Sequence, residues 1–237
     1  MRLKEVKATF MSDALAKLLA QSAWIVGLTL EQRHRVEHDV IERAYPAGTV
    51  IFRKGEPALH WLGVIEGMAK VDNVTADGRS TTFIGVSAGG WFGEGSVLKR
   101  EARPYEVVAL RDARMALLPR DTFEWLLGSS LPFNRFLIDQ LNARLGQFVA
   151  LVEHDRMHDA SSQVAHCLAE LCNPQLNPSG KRTIAISQEE VGRLSGISRQ
   201  ITNRALHQLQ AAGLVGVSYG SIDVVDVEGL RRFSRSH

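Results

Sequence analysis

Cysteine is scarce: the 237 residues contain only two, Cys167 and Cys172, five positions apart in one apolar segment. Two cysteines cannot form the framework of several disulfide bonds that holds many small secreted domains together. A buried cysteine behaves as a small apolar residue, which is the role we expect for this pair. The low cysteine content favours a reducing compartment, and we expect a cytoplasmic protein.

Long hydrophobic runs are absent as well. A membrane-spanning helix needs roughly 18 or more apolar residues without charges, and no segment of the sequence approaches that length. The N-terminus (MRLKE) lacks the apolar stretch and the A-x-A motif of a secretory signal, and the first apolar segment is interrupted by Asp13 and Lys17. We therefore expect neither membrane insertion nor secretion.

A net charge of one sign is also lacking, because 28 basic and 26 acidic residues leave a formal charge of +2. The average charge therefore indicates no particular partner. Hydrophobic residues make up 45% and charged residues 23% of the chain, which is typical of a globular protein and excludes disorder of the whole chain. At about 150 residues per domain, the length corresponds to one or two domains.

Short predicted strands occupy the region from about residue 50 to residue 118. Runs of aliphatic and aromatic residues alternate there with glycine-containing turns, and Asp77-Gly78 between two alternating runs predicts a β-hairpin. Strands at this spacing predict a β-sandwich or β-roll. The predicted strands are 50–52, 61–65, 69–71, 81–86, 107–110 and 114–118. Residues 12–43, before them, are predicted to be helical.

A long helix is predicted over residues 132–157. It would be about 39 Å long, which exceeds the compact β-domain beside it. Its apolar positions step by 4, 4, 3 and 4 residues, a spacing typical of a coiled-coil seam. These positions are Leu137, Leu141, Leu145, Phe148 and Val152. We expect this seam to form a two-fold dimer interface; the alternative is a core helix lying across the β-roll.

The C-terminal region predicts a helix-turn-helix. Ser187 and Glu190 have the spacing of a capping box, with the hydroxyl at the helix N-cap and the carboxylate three positions later. This first helix, 188–194, ends before Gly196, and a second covers 198–209. Apolar side chains are expected to pack the two helices together: Val191, Leu194, Ile197, Ile201, Ala205, Leu206 and Leu209.

The first turns of the second helix present polar side chains suited to DNA. Arginine can bond bidentately to guanine, and glutamine or asparagine to adenine, while hydroxyl groups can contact phosphates. The candidates for base edges are Arg199, Gln200, Asn203 and Arg204, and those for phosphates are Ser198 and Thr202. No acidic residue occurs between Glu190 and Asp223, whereas three arginines do, as phosphate binding requires. These observations predict binding to double-stranded DNA; the alternative is a solvated helical hairpin beside a strand pair, 215–218 and 222–225.

With these motifs the sequence resembles the Crp–Fnr family of bacterial transcription regulators over nearly its whole length. The resemblance implies an α+β fold: an N-terminal β jelly roll with flanking helices, a long dimerisation helix and a C-terminal winged helix-turn-helix. We expect an effector domain at 12–120, the dimerisation helix and hinge at 121–158, and the DNA-binding domain at 159–237. It further implies a homodimer on an inverted-repeat operator, with RNA polymerase as an open candidate partner.

The recognition helix departs from the family at one position. In the family it opens Ser-Arg-Glu, with a second arginine four residues after the glutamate; here it opens Ser198-Arg199-Gln200, followed by Arg204. The resemblance assigns base contacts to Arg199 and Arg204. A carboxylate accepts from cytosine N4, whereas an amide pairs best with adenine. We therefore expect the half-site to differ from the common one at one position.

Two segments resemble the signatures of a cyclic-nucleotide-binding jelly roll: residues 48–57, and Phe92-Gly93-Glu94 followed by Arg103-Pro104-Tyr105. A cyclic phosphate needs a cation, and a ribose 2′-hydroxyl needs an acceptor; the resemblance implies that Arg103 and Glu94 supply them. The effector-binding residues implied in this way are Gly93, Glu94, Gly95, Arg103 and Pro104.

Four positions depart from that pattern. Pro104 lacks the hydroxyl and the backbone N–H that the family supplies there, and Tyr105 replaces a small residue. Phe148 and Val149 stand where catabolite-activator proteins place Thr-Ser to meet adenine. The sequence therefore leaves three alternatives: cyclic AMP, another small ligand, or an empty pocket. An ion pair between Glu94 and Arg103 is the structural alternative to ligand binding.

Cofactor and catalytic patterns are missing. The iron–sulfur branch of the family needs cysteines near the N-terminus, but none precedes Cys167, so no iron–sulfur cluster is expected. A cupin-type metalloenzyme needs clustered histidines, whereas the strand region contains only His60. No metal site or enzymatic activity is expected, although haem bound through a histidine stays an open alternative. The remaining functional alternative is a cyclic-nucleotide module serving a kinase or channel. Two histidine pairs at i,i+4 have no evident third metal ligand: His34 with His38 and His154 with His158.

Overall fold

The N-terminal region is helical, as the sequence predicts. The structure, a computed structural model, describes residues 11–74, 80–157 and 159–236. Ser12 caps the first helix by accepting from the N–H of Leu15 (3.1 Å), and a capping box starts the third. Because β1 begins at Ile41, the helical region ends earlier than expected. The helices are α1 (Asp13–Gln21), α2 (Ala23–Val26) and α3 (Leu30–Asp39).

Two four-stranded antiparallel sheets form the β-roll, with strand orders β1-β8-β3-β6 and β2-β7-β4-β5. All six predicted strands are confirmed, and β1 and β6 are additional. The strands that flank the predicted Asp77-Gly78 turn, β4 and β5, pair antiparallel; the turn itself lies outside the described residues. In chain order the elements are β1 (Ile41–Tyr45), β2 (Val50–Phe52), β3 (His60–Glu66), β4 (Met68–Val74), β5 (Ser80–Ser87), β6 (Trp91–Phe92), α4 (Glu94–Lys99), β7 (Glu106–Ala109) and β8 (Ala113–Pro119).

Two helices follow the roll, α5 (Arg120–Ser129) and α6 (Leu131–Met157). With 27 residues, α6 confirms the predicted long helix and extends about 40 Å. An aromatic cluster fixes its first turns to the roll: the ring of Phe133 lies 5.6 Å from Trp24 and 5.7 Å from Trp61.

The buried face of α6 packs against its own chain. It carries Phe133, Leu137, Gln140 and Arg144, and all four are buried. Leu137 is only 2% exposed and belongs to the core that contains the tryptophans. The prediction that Leu137 lies in the dimer seam is therefore wrong.

An exposed apolar stripe runs along the other side of α6. Ile138, Leu145 and Val152 are 64%, 62% and 49% exposed, and Leu141 and Phe148 are exposed as well. Ile138 takes the place in the stripe that was expected for Leu137. The spacing between successive apolar residues of the stripe is therefore 3, 4, 3 and 4 residues. One position on a helix corresponds to about 100° of rotation, which is enough to move a side chain from the core to the surface.

The C-terminal region contains the predicted helix-turn-helix and a three-stranded sheet of order β10-β11-β9. The predicted strand pair is confirmed to within one residue. Both cysteines are free, and they pack at the edge of the core of this region. The last helix was not expected; it packs on α7 through the buried Leu230. The elements are α7 (Ala160–Leu171), β9 (Thr183–Ile184), α8 (Gln188–Ser195), α9 (Arg199–Ala211), β10 (Val215–Ser218), β11 (Ser221–Val224) and α10 (Val227–Ser236).

Candidate nucleic-acid interface and effector pocket

The first helix of the helix-turn-helix begins with the predicted capping box. The hydroxyl of Ser187 accepts from the N–H of Glu190 (3.3 Å), and the carboxylate of Glu190 accepts from the N–H of Ser187 (2.6 Å). Gly196 ends α8 in the left-handed region, with φ of 72°, which favours glycine. A Cβ at Gly192 would lie 2.7 Å from Oγ1 of Thr202. The two helices therefore cross in close contact at Gly192.

Three of the predicted base-reading side chains are exposed on α9. Arg199, Gln200 and Arg204 point away from the core, and none is hydrogen-bonded or ion-paired to any residue that the structure describes. Ser198, at the N-cap, is also exposed, and its side chain makes no capping hydrogen bond. The donors and acceptors of this surface are therefore available to a partner.

Asn203 and Thr202 are less available. Asn203 is half-buried, and its Nδ2 donates to Oε1 of Gln188 (2.8 Å). Thr202 is fully buried, and its hydroxyl donates to the carbonyl of Ser198 (2.9 Å). The prediction of a phosphate contact by Thr202 is therefore wrong, because the close crossing at Gly192 places this side chain between the helices.

Ile201 and Arg193 also differ from expectation. Ile201 does not pack between the two helices: it is 43% exposed and lies outside the hydrophobic cluster that contains Leu206 and Leu209. Arg193 lies in the acid-free interval, but its guanidinium pairs with Glu189 just outside that interval at 2.6 Å. Arg199 and Arg204 are thus the cations of α8 and α9 that carry no acidic partner.

The predicted effector residues come together at the N-terminus of α4. Gly93 has φ of 84°, which favours glycine, and a Cβ there would lie 3.2 Å from Nη1 of Arg103. Glu94 opens α4 and is buried. A Cβ at Gly95 would meet no atom within 4 Å, so packing does not require glycine at that position. Gly93 thus lies against the buried Arg103, and the buried Glu94 follows it in the chain.

Arg103 is 1% exposed and only partly satisfied. Its Nη2 donates to the carbonyl of His60 (2.8 Å), and its guanidinium lies 4.6 Å from the centroid of Phe52. Nε and Nη1 have no hydrogen-bond partner among the described residues. Burial lowers the pKa of this guanidinium, against the opposing effect of Tyr105 and Glu56. Two buried donors on one cation suit an anionic group.

Glu94 pairs with Arg144 instead of Arg103. Oε1 of Glu94 lies 3.9 Å from Nε of Arg144, whereas Oε2 has no hydrogen-bond partner in the described part of the chain. Arg144 also donates to the carbonyl of Trp91 (3.2 Å), and burial lowers its pKa. The alternative of an ion pair between Glu94 and Arg103 is therefore wrong. Arg144 was not among the predicted site residues. Its signal in the sequence is the spacing of 4, 3 and 4 residues from Phe133 through Leu137 and Gln140, which places it on the buried face of α6.

The departures from the nucleotide pattern differ in burial. Pro104 is exposed, and Tyr105 packs against the core between the sheets. Phe148 and Val149 are exposed on α6 and carry no hydrogen-bonding group. The site therefore offers a cation and a carboxylate, without polar side chains at the positions that meet adenine in catabolite-activator proteins.

The ranges described contain neither a candidate metal cluster nor a candidate membrane-spanning helix. There, no group of three or more His, Cys, Asp or Glu side chains is placed to hold a metal ion. No helix in these ranges has the length and hydropathy needed to cross a bilayer. His158 and the side chain of His154 lie outside the described residues.

Two family models match the chain. The cyclic nucleotide-binding domain matches residues 42–130, which contain nearly all of the roll together with Glu94 and Arg103. The Crp-like helix-turn-helix domain matches residues 162–233, which contain the recognition helix. The second match favours a DNA-binding regulator over a cyclic-nucleotide module that serves a kinase or channel.

Known relatives agree with both matches. The transcriptional regulator SdrP of Thermus thermophilus is 26% identical over 197 residues, which are 81% of this chain and 94% of SdrP. A CRP-like cAMP-activated global transcriptional regulator of Mycobacterium tuberculosis is 25% identical over 194 residues, covering 81% and 87% of the two chains. The structure of FixK2 from Bradyrhizobium japonicum has the same fold, with a TM-score of 0.70 and 20% identity over 84% of this chain and 98% of FixK2. The chain therefore belongs to the CRP/FNR family of transcription regulators, in which a cyclic nucleotide-binding domain is joined to a DNA-binding helix-turn-helix.

Proposed function

We propose that this regulator acts as a homodimer that binds an inverted-repeat operator in the cytoplasm and responds to a small anionic effector. The observation that carries the proposal is the surface of α9, where Arg199, Gln200 and Arg204 are exposed without acidic partners. We assign effector sensing to residues 12–120, dimerisation to 121–158 and DNA binding to 159–237. RNA polymerase is a further proposed partner, on the ground of family membership.

The exposed stripe on α6 supports a second copy of this chain as its partner. The side chains Ile138, Leu141, Leu145, Phe148 and Val152 follow the 3,4 spacing of a two-stranded coiled coil. Apolar groups in such a row are unfavourable in water, and a two-fold related helix offers the complementary row. The stripe begins where the aromatic cluster ends, so the same helix can pack on its own roll and on the partner.

The side chains on α9 support direct readout in the major groove. Arg199 and Arg204 are proposed to contact guanine, Gln200 and Asn203 adenine, and Ser198 a phosphate. Asn203 would exchange its bond to Gln188 for the base. With two recognition helices related by a two-fold axis, the half-sites are expected about 34 Å apart.

The unpartnered polar atoms of Arg103 and Glu94 support an effector that carries an anionic group and a hydroxyl. Arg103 Nε and Nη1 would bind the anion, and Oε2 of Glu94 would accept from the hydroxyl. A cyclic nucleotide has both groups, and the relative from Mycobacterium tuberculosis is named as cAMP-activated. At the base end, however, Phe148 and Val149 provide only apolar contact, so we do not expect hydrogen bonds that select adenine.

Selection of DNA from a random duplex library with the full chain tests the proposal. We expect an inverted repeat with half-sites about one helical turn apart, bound on the order of 10³-fold or more tightly than a scrambled duplex at physiological salt. A selected pool without any repeat would overturn the two-fold operator. For the effector, thermal unfolding with cyclic AMP, cyclic GMP and cyclic di-GMP is the matching experiment; no shift with any of them rejects a nucleotide effector.

A further inference from the structure

Ile201 is an apolar side chain exposed in the middle of the polar recognition surface. It is 43% exposed, whereas Thr202, Ala205, Leu206 and Leu209 on the same helix are buried. Among the residues of α9, all of which the structure describes, it is the only exposed large apolar side chain. The packing of the helix-turn-helix therefore does not account for isoleucine at this position.

The position of Ile201 on α9 places it beside the base-reading residues. At about 100° per residue, it lies about 60° around the helix from Arg204 and about 100° from Gln200. Ile201 and Arg204, three residues apart, are neighbours on the helix surface. A helix that brings Gln200 and Arg204 to base edges therefore brings Ile201 to the wall of the same groove.

The chemistry of the major groove offers one main partner for such a side chain. The donors and acceptors of the base edges are polar, and the apolar group among them is the C5-methyl of thymine. Contact between isoleucine and this methyl removes both apolar surfaces from water. A β-branched side chain in a helix has one strongly preferred χ1 rotamer, so the methyl groups of Ile201 are held in place before DNA binds.

We propose that Ile201 reads a thymine in each half-site through its 5-methyl group, an inference that rests on the proposed operator binding. The contact adds to specificity without a hydrogen bond. It discriminates thymine from cytosine and from uracil, which both lack the methyl. It accepts 5-methylcytosine as far as the methyl alone is concerned.

The test replaces each thymine of the selected operator, one position at a time in both half-sites, by deoxyuridine. For the unaltered protein we expect one symmetric pair of positions where loss of the methyl weakens binding about fourfold per half-site, or about fifteenfold for the pair. Ile201→Ala should bind the unmodified operator more weakly by a similar factor and show no thymine-to-uracil difference at that position. Leu59→Ala is the matched control, because it removes an exposed apolar side chain on the roll and should leave the difference unchanged.

Three outcomes would overturn the inference. In the first, all duplexes with deoxyuridine substitutions bind as tightly as the unmodified operator, so no thymine methyl is contacted. Alternatively, the sensitive position remains sensitive in Ile201→Ala, which would assign the methyl contact to another residue. Failure to select any operator would overturn the proposed function and this inference together. If Arg204→Ala weakens binding to a selected operator but deoxyuridine does not, the inference alone is overturned.

Discussion

Arg111 and Glu190 form a bidentate ion pair between the β-roll and the first helix of the helix-turn-helix, with Nη1–Oε1 and Nη2–Oε2 both 2.6 Å. Arg111 follows β7, the strand that begins three residues after Arg103 of the effector pocket. A second contact joins the roll to the segment between α7 and β9, since Oδ1 of Asn177 accepts from the N–H of Ser87 (2.9 Å). The pair therefore connects the strand that leaves the pocket to the helix that precedes the recognition helix.

Breaking this pair should loosen the first turn of α8. For Arg111→Ala we expect the free energy of local opening of this turn to fall by about 1 kcal/mol. A charged hydrogen-bonded pair that is partly exposed to water contributes about that much. Amide hydrogen exchange at the start of α8 measures the effect. Arg193→Ala, which removes the exposed pair with Glu189 on the same helix, should change it by less than about 0.5 kcal/mol. Equal effects of the two variants would contradict a specific role for Arg111.

The same pair predicts a pH dependence. Burial alone would raise the pKa of Glu190, but the hydrogen bonds from Arg111 and from Ser187 outweigh it and lower the pKa below its ordinary value. A carboxylate with a lowered folded-state pKa contributes stability above its unfolded pKa of about 4.3, and this is lost as the pH falls through the folded value. The free energy that protects the amides of α8 from hydrogen exchange should thus be constant between about pH 6 and 8 and fall in acid. Glu190→Gln should reduce the acid-dependent part, and an unchanged acid profile in that variant would contradict the assignment.

The stripe on α6 predicts the effect of a buried charge at a dimer interface. Leu145→Asp should convert the dimer to monomer, because two carboxylates would be placed in the apolar seam. Sedimentation velocity measures the change. Asn142→Asp is the matched control: it adds a carboxylate to an exposed position of the same helix that is not part of the stripe, and it should stay dimeric. A dimeric Leu145→Asp would move the interface elsewhere.

Leu137 and Ile138 should behave differently although they are adjacent. Leu137→Ala removes a buried side chain from the core and should lower the free energy of unfolding by about 2–5 kcal/mol. Ile138→Ala should change the unfolding of the protomer much less and weaken the dimer instead. Urea unfolding at concentrations of protein above and below the dimerisation constant separates the two effects. If Leu137→Ala leaves the unfolding free energy unchanged, the assignment of the two faces is wrong.

Periodicity and motifs predicted the architecture correctly but not the detailed contacts. Each of the six strands, the long helix and the capping box is predicted by a pattern among residues that lie close together in the sequence. The face of α6 did not, because the apolar residues Leu137 and Ile138 are adjacent, and only the packing of Phe133 against Trp24 and Trp61 shows which of them is buried.

The candidate sites show the same division between local pattern and long-range contact. The motifs identified Glu94 and Arg103, yet Glu94 pairs with Arg144, 50 positions away on another element. Thr202 is buried between the helices, where Gly192 leaves room for its side chain, whereas Ile201 is exposed. No pattern of hydrophobicity in the sequence indicates this arrangement. The pair between Arg111 and Glu190 depends on how the roll meets α8, and so it is found only in the folded chain.

The central claim, sequence-specific DNA binding by α9, is tested most directly by measuring the affinity of Arg204→Ala for the selected operator and for a scrambled duplex at one salt concentration. We expect a loss of about 1–3 kcal/mol per half-site on the operator, with relaxed preference at one base pair and a much smaller loss on the scrambled duplex. Equal losses on both duplexes would contradict the claim, because they would make Arg204 a contact to the phosphate backbone and not to a base.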